Sequence, residues 1–333
     1  MLKAIFCSLI LTFFVVQFAS AKIWIADANP GDTGADFKTI QAAHDGASAG
    51  DTIYCVGSVQ SLGGATFTKK LTIIGPGYFL SENSGLQANP SSAQLSNLTF
   101  NVGSEGSVIT GCEIQGTLSL NTSNISIIRN YLNYGNNSGV FIQGGVGNIY
   151  LEQNFINGWF IGSMIGSDSD GPIFILNNYI RSYRSNGYGS QDAIGVQNAI
   201  VENNVIVGNI TCYNSTFQNN IIISGTFSGT GNGIFNNICN SNQFSNTNGN
   251  IPNTDTSTVF VNTGTTDGRF QLKAGSPAKG AGIGGVDIGM FGGMNPYVLS
   301  GVPPIPSIFY FTAPFYGSKS QGLQVHIKAK VNN

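Results

Sequence analysis

Six hexapeptides in this chain share one shape. "IIRNYL", "LEQNFI", "ILNNYI", "VENNVI", "FQNNII" and "IFNNIC" each place an asparagine fourth, with an apolar residue three before it and another two after it. The asparagines are Asn130, Asn154, Asn178, Asn204, Asn220 and Asn237, separated by 24, 24, 26, 16 and 17 residues. Periods of this length belong to solenoids, whose units bury their apolar faces only against one another. The column three before reads Ile127, Leu151, Ile175, Val201, Phe217 and Ile234, and the column two after reads Leu132, Ile156, Ile180, Ile206, Ile222 and Cys239. Ile125, Ile149, Ile173 and Ala199 add a column five before, so apolar residues alternate with polar or variable ones at the strand period of two. No helical spacing of apolar residues appears between the repeats. Short strands joined by Gly, Asn and Ser turns therefore predict one coil of a parallel β-helix per repeat.

Asparagine is a poor strand residue and a good corner residue. It tolerates left-handed backbone angles, and its amide satisfies backbone groups that burial would otherwise leave unpaired. Stacked coil upon coil at the roughly 4.8 Å spacing of paired strands, the six amides would donate and accept along the stack as an internal ladder.

Two further segments extend the pattern. In "FKTIQAAHDGASAGDTIYCVG", Phe37 to Gly57, residues Ile40, Ala43 and Ala47 share one helical face and Asp36 stands where an N-cap would. At the other end "FQLKAGSPAKGAG" and "DIGMFGG" span Phe270 to Gly293. With the asparagine columns, these segments make the chain resemble the secreted bacterial right-handed parallel β-helix proteins of the pectate-lyase-like fold, with Gly292 standing where an acidic residue is common in that family. The resemblance implies an all-β, single-stranded parallel β-helix with an N-terminal cap helix covering the first coil, and it specifies a fold more tightly than an activity. Enzymes of that family use a basic residue or paired carboxylates in a groove along one sheet, often with calcium.

The first residues read as a processing signal. Lys3 precedes the apolar run Ile5 to Phe18, and Ala19-Ser20-Ala21 offers a cleavage site. The expected division is a signal peptide over 1–21, a β-helix domain over 22–293, and a proline-containing linker with a C-terminal strand over 294–333. A secreted or cell-surface location follows, with no membrane span in the mature chain. In the tail, Leu323, Val325, Ile327, Ala329 and Val331 alternate with Gln324, His326, Lys328 and Lys330. Such a strand packs on the last coil or docks to a surface or secretion component.

Only 9% of residues are charged and the net charge is -2, which argues against nucleic acid as a partner. Cys55, Cys112, Cys212 and Cys239 show no metal-ligand spacing and read as buried thiols. With only His44 and His326 present, neither a Ser-His-Asp mechanism nor a histidine zinc site has its members.

The longer coils carry what chemistry there is. Asp168 and Asp192 lie 14 residues after Asn154 and Asn178, with Asp170 close by, and such carboxylates bind Ca²⁺ or act as a general acid, or are simply solvated turn residues. Trp159, Arg181, Tyr183, Arg184 and Tyr188 form an aromatic and basic group suited to sugar rings and uronate carboxylates; as a bland alternative, Trp159 fills a corner of the core and the rest is a loop. These features support an expectation of a non-catalytic extracellular β-helix that binds polysaccharide or serves a structural or adhesive role. The alternative is a polysaccharide lyase or glycoside hydrolase using Asp168, Asp192 and Arg184. An ice-binding face is disfavoured because threonines such as those in "GTLSLNT" do not recur at coil spacing.

Overall fold

The computed structural model describes residues 21–133, 139–158, 161–163, 171–182 and 192–332, with residues 161–163 as backbone only. The chain winds repeatedly through three parallel sheets. Sheet I has ten strands, from Ile23–Ala26 through Ile149–Glu152 and Ile173–Leu176 to Gly233–Phe235; sheets II and III have eight each. Each full coil visits sheet I, turns through the asparagine corner into sheet II, continues into sheet III and returns. Ile149–Glu152, Phe155–Gly158 and Ile161–Ser163 are one such circuit. Every pairing within these sheets is parallel, with register shifts only at Asp192/Ile194 and Ile206/Val207; Leu151 stands against Ile127 on one side and Ile175 on the other. The inward columns Ile109, Ile127, Leu151, Ile175, Val201 and Phe217 are fully buried and form the spine of the core.

The asparagine corner divides two tasks between adjacent residues. Asn130, Asn154, Asn178, Asn204, Asn220 and Asn237 are fully buried. The Asn154 Nδ2 donates to Asn178 Oδ1 at 3.0 Å, Asn178 Nδ2 to Asn204 Oδ1 at 3.0 Å, and Asn204 Nδ2 to Asn220 Oδ1 at 2.9 Å. The same oxygens accept the backbone N–H of the preceding rung, as from Asn178 N to Asn204 Oδ1 at 2.9 Å. The left-handed angle falls one residue earlier, on Arg129, Gln153, Asn177, Asn203, Asn219 and Asn236, with φ between 50° and 56°. This corrects the expectation that the ladder asparagines themselves turn the corner. A side chain that must point inward and stack needs ordinary backbone, so its neighbour takes the turn. A seventh rung, Asn250, accepts from Asn237 and lies outside the hexapeptide pattern.

The short coils keep all three faces. Ala199–Glu202, Val205–Val207 and Asn209–Tyr213 form one circuit, with Gly208 alone turning the corner between sheets II and III at φ 136°. Gly225 occupies the equivalent place in the next coil at φ 114°, where a Cβ would lie 2.0 Å from the Gly208 carbonyl oxygen. Shortened turns, rather than a missing side, account for the 16- and 17-residue spacing.

The cap helix spans Ile40–Gly46 and buries Ile40, Ala43 and His44 over the open end of the coil stack. Its N-cap is Thr39, whose hydroxyl accepts from Ala42 N at 3.2 Å. Asp36, the expected cap, instead accepts the N–H of Ile25 at 2.8 Å, because its carboxylate lies beside the first strand. Cys55, Cys112, Cys212 and Cys239 are buried and free. Burial raises the Cys212 thiol to about 12, far from thiolate at neutral pH. No helix among the described residues is long and apolar enough to cross a membrane.

After the last coil the chain reverses and runs back along the outside of sheet II. The outward column Phe155, Tyr179, Val205, Ile221 and Ile238 would be exposed on a bare solenoid. It is buried instead, against Val259, Phe260, Ala278, Ile288, Met290 and Tyr297 of the returning segment. The returning chain is fastened along the left-handed column. Asn236 Nδ2 donates to Ala281 O at 2.9 Å, Asn219 Oδ1 accepts from Ile283 N at 3.0 Å, Asn177 Nδ2 donates to Gly292 O at 2.7 Å, and Gln153 Nε2 donates to Pro296 O at 2.8 Å. Its far end closes on Asp267, a fully buried carboxylate that accepts from Ser300 N at 2.6 Å and Asn83 Nδ2 at 3.0 Å. The tail strand is His326–Lys330, and its partner is the antiparallel strand Ser307–Thr312 within the tail itself.

Candidate functional site

Outward residues of sheet I fall into two rows because side chains alternate along each strand. One row contains Val108, Ser126, Tyr150, Phe174 and Ile200; the other contains Thr110, Ile128, Glu152, Leu176 and Glu202. Tyr150 and Phe174 stack with ring centroids 4.4 Å apart and planes 6° from parallel. The stack follows from the register, since identical row positions in adjacent coils place rings at about the strand spacing. Tyr150 remains 37% exposed, so a ring edge and a hydroxyl are presented to solvent on an otherwise flat face.

Where this face meets the returning segment it deepens into an open groove of about 310 Å³, lined by Thr110, Ile128, Arg129, Glu152, Asn295 and Pro304 among others. Arg129 occupies a left-handed corner position at φ 55°, which aims its side chain at the returning chain rather than along the sheet. Its Nε donates to Gln153 Oε1 at 2.7 Å and its Nη1 to Val302 O at 3.1 Å. Burial lowers the pKa of the guanidinium from its ordinary value, and the Glu152 carboxylate opposes that shift. The buried Thr110 hydroxyl has no hydrogen-bond partner among the described residues. A cation, a carboxylate and an amide therefore line one groove on the face that carries an aromatic pair. Such a set can exchange hydrogen bonds with a polyhydroxylated ligand while the ring edges contact its C–H surface.

The residues picked out from the sequence are placed differently. Arg181 projects outward from the sheet II strand Tyr179–Ser182, opposite Asn157 and Val207 of its neighbours. Asp192 begins the sheet III strand Asp192–Gln197 and faces Asn209 of the next coil. The two flank the same corner between sheets II and III. Trp159, Asp168, Asp170, Tyr183, Arg184 and Tyr188 lie outside the described residues, so of the three carboxylates on which calcium binding rests only Asp192 is described. Among the described residues no three His, Cys, Asp or Glu side chains gather as a metal site would require.

Arg129 and Glu152 belong to the first two hexapeptides, "IIRNYL" and "LEQNFI", and were visible there only as variable positions. The available signal was the aromatic pair Tyr150 and Phe174, 24 residues apart at one phase of the repeat. Comparison with family profiles, with curated proteins and with solved structures gives no match.

Proposed function

We propose that the protein is a non-catalytic extracellular β-helix that binds polysaccharide along the outer face of sheet I. The observation that carries this reading is the groove lined by Arg129, Glu152 and Asn295, which opens on the same sheet face that carries the stacked Tyr150 and Phe174. Further support comes from the leader-like start of the chain and from its resemblance to the pectate-lyase-like proteins. A polymer suits the geometry because adjacent coils repeat at about 4.8 Å, so one chain lying along the solenoid meets equivalent positions in succession.

Affinity electrophoresis of the protein through gels containing neutral and acidic polysaccharides tests the proposal. Retardation by at least one polymer is expected, and Tyr150→Ala or Arg129→Ala should weaken it about tenfold, near the 1–3 kcal/mol of a lost stacking or charged hydrogen-bond contact. Retardation unchanged in both variants would move the site elsewhere. Release of new reducing ends or of an unsaturated product from the same polymers would favour the lyase or hydrolase reading.

A further inference from the structure

We propose that the C-terminal hairpin is a membrane-docking element that seats on an anionic lipid surface. Residues 294–333 carry Lys319, Lys328 and Lys330 and no carboxylate, whereas all 16 acidic residues of the chain precede them. The hairpin pairs Phe311 with Ile327 and Ile308 with Ala329 on one face, and Tyr310 with Lys328 and Thr312 with His326 on the other. Lys328 Nζ lies 5.2 Å from the Tyr310 ring centre, which keeps the cation on that second face. The apolar face is open: Phe311 is 57% exposed and Ile327 56%. Beyond the strands, Phe315 is fully exposed and Tyr316 nearly so, with Lys319 close behind them in the chain.

A two-stranded hairpin is marginal in water, and large apolar side chains held in solvent forgo the burial that stabilises the rest of the chain. The partner must therefore supply both an apolar medium and negative charge. A soluble polyanion would meet the lysines and leave Phe311, Phe315 and Ile327 wet. A second copy of the hairpin would cover these but bring three more lysines against the first three. A bilayer with anionic head groups satisfies both requirements. Phe315 enters the acyl boundary, Tyr316 and Tyr310 sit at head-group level where their hydroxyls stay wet, and Lys319 and Lys328 extend to the phosphates.

The base of the hairpin is tied to the first coils, so docking would hold the whole solenoid at the surface. Ala88 N donates to Ile308 O at 2.7 Å, and Lys330 Nζ donates to Gly85 O at 2.9 Å. The residues of this surface are not those that line the groove on sheet I, and the proposal does not depend on the groove.

Co-sedimentation of the purified protein with vesicles of phosphatidylcholine, with and without phosphatidylglycerol, tests the proposal. Binding is expected only with phosphatidylglycerol and should weaken in high salt. Lys319→Gln and Lys328→Gln should each lower affinity roughly fivefold. Phe315→Ser combined with Tyr316→Ser should abolish retention while leaving the melting temperature unchanged, because both side chains already stand in solvent. Absence of binding to phosphatidylglycerol vesicles would overturn the proposal, as would binding indifferent to these substitutions. A dimer in solution that the Phe315→Ser, Tyr316→Ser variant disperses would assign the surface to a second copy instead.

Discussion

The pair Asn177-Asn178 shows how one residue type serves two physical ends. Asn177 adopts φ 54° and spends its amide on the Met290 and Gly292 carbonyls, while Asn178 keeps ordinary backbone and bonds Leu151 O and Asn204 Oδ1. Their replacements should therefore differ in cost. Asn178→Ala removes a rung and leaves the Asn154 N–H and amide without their acceptor in a dry core, so equilibrium unfolding should show a loss of roughly 3 kcal/mol or more. Asn177→Gly preserves the left-handed turn and loses only bonds to the returning chain, so about 1–2 kcal/mol is expected in the same measurement. Equal costs would mean that the ladder bonds contribute no more than the outer fastening. Periodic placement made the ladder positions legible in the sequence. The division of labour was not, because nothing in "NN" says which amide faces inward.

The element that reasoning from sequence missed is the returning segment. Its residues read as a closing motif and a change of composition, without the strand alternation that would have tied them to sheet II. The sign that sheet II is covered was present in Phe155, Tyr179, Val205, Ile221 and Ile238, an outward column as apolar as the inward one. Period-two reasoning assigns one face of a strand to solvent, and here both faces are buried. Asp267 locks this element: beyond its bonds to Ser300 and Asn83, its carboxylate accepts from the Thr265 hydroxyl at 3.1 Å and from the Tyr297 hydroxyl at 3.3 Å. Asp267→Ala should cost about 3 kcal/mol and, more specifically, should make the segment around residues 255–302 sensitive to limited proteolysis while the coils stay protected. Uniform protection in that variant would show that the apolar contacts alone hold the segment down. The tail strand partners Ser307–Thr312 because "SIFYFT" lies within hairpin reach, a nearer partner than either the last coil or another protein.

At the scale of the whole molecule, buried and half-buried carboxylates among the described residues hold backbone in place. Asp51 accepts from Lys22 N at 2.8 Å, Ser48 N at 2.9 Å and Trp24 Nε1 at 2.8 Å, and these bonds, the Lys22 N–H first, hold its pKa below the ordinary value of 3.8. A bond from the Thr122 hydroxyl does the same for Glu105. Because these carboxylates release their protons at lower pH in the folded chain than in the unfolded one, their stabilisation is complete above about pH 5 and is lost as pH falls through the folded values. Calorimetry should accordingly show a melting temperature that is level from about pH 5 to 7 and drops below about pH 4. In Asp51→Asn the drop should be shallower from a lower plateau. A melting temperature independent of pH between 3 and 6 would contradict the placement of Asp51.

What the amino-acid order determined by itself was the repeat: the columns of apolar residues, the asparagine at each corner, the short strands of each coil and a helix over the open end. These follow from local periodicity and from the cost of burying an unpaired backbone group, and both are written along the chain. Only the tertiary structure decided that the chain doubles back over sheet II, that Arg129 and Glu152 meet Thr110 across neighbouring coils, and that the tail closes on itself. The first and last of these join residues whose separation in sequence carries no period, while Thr110 and Glu152 share one row of sheet I whose meeting with the returning segment makes the groove. They are brought together by how the coils stack and where the returning segment comes to rest, which no local pattern records.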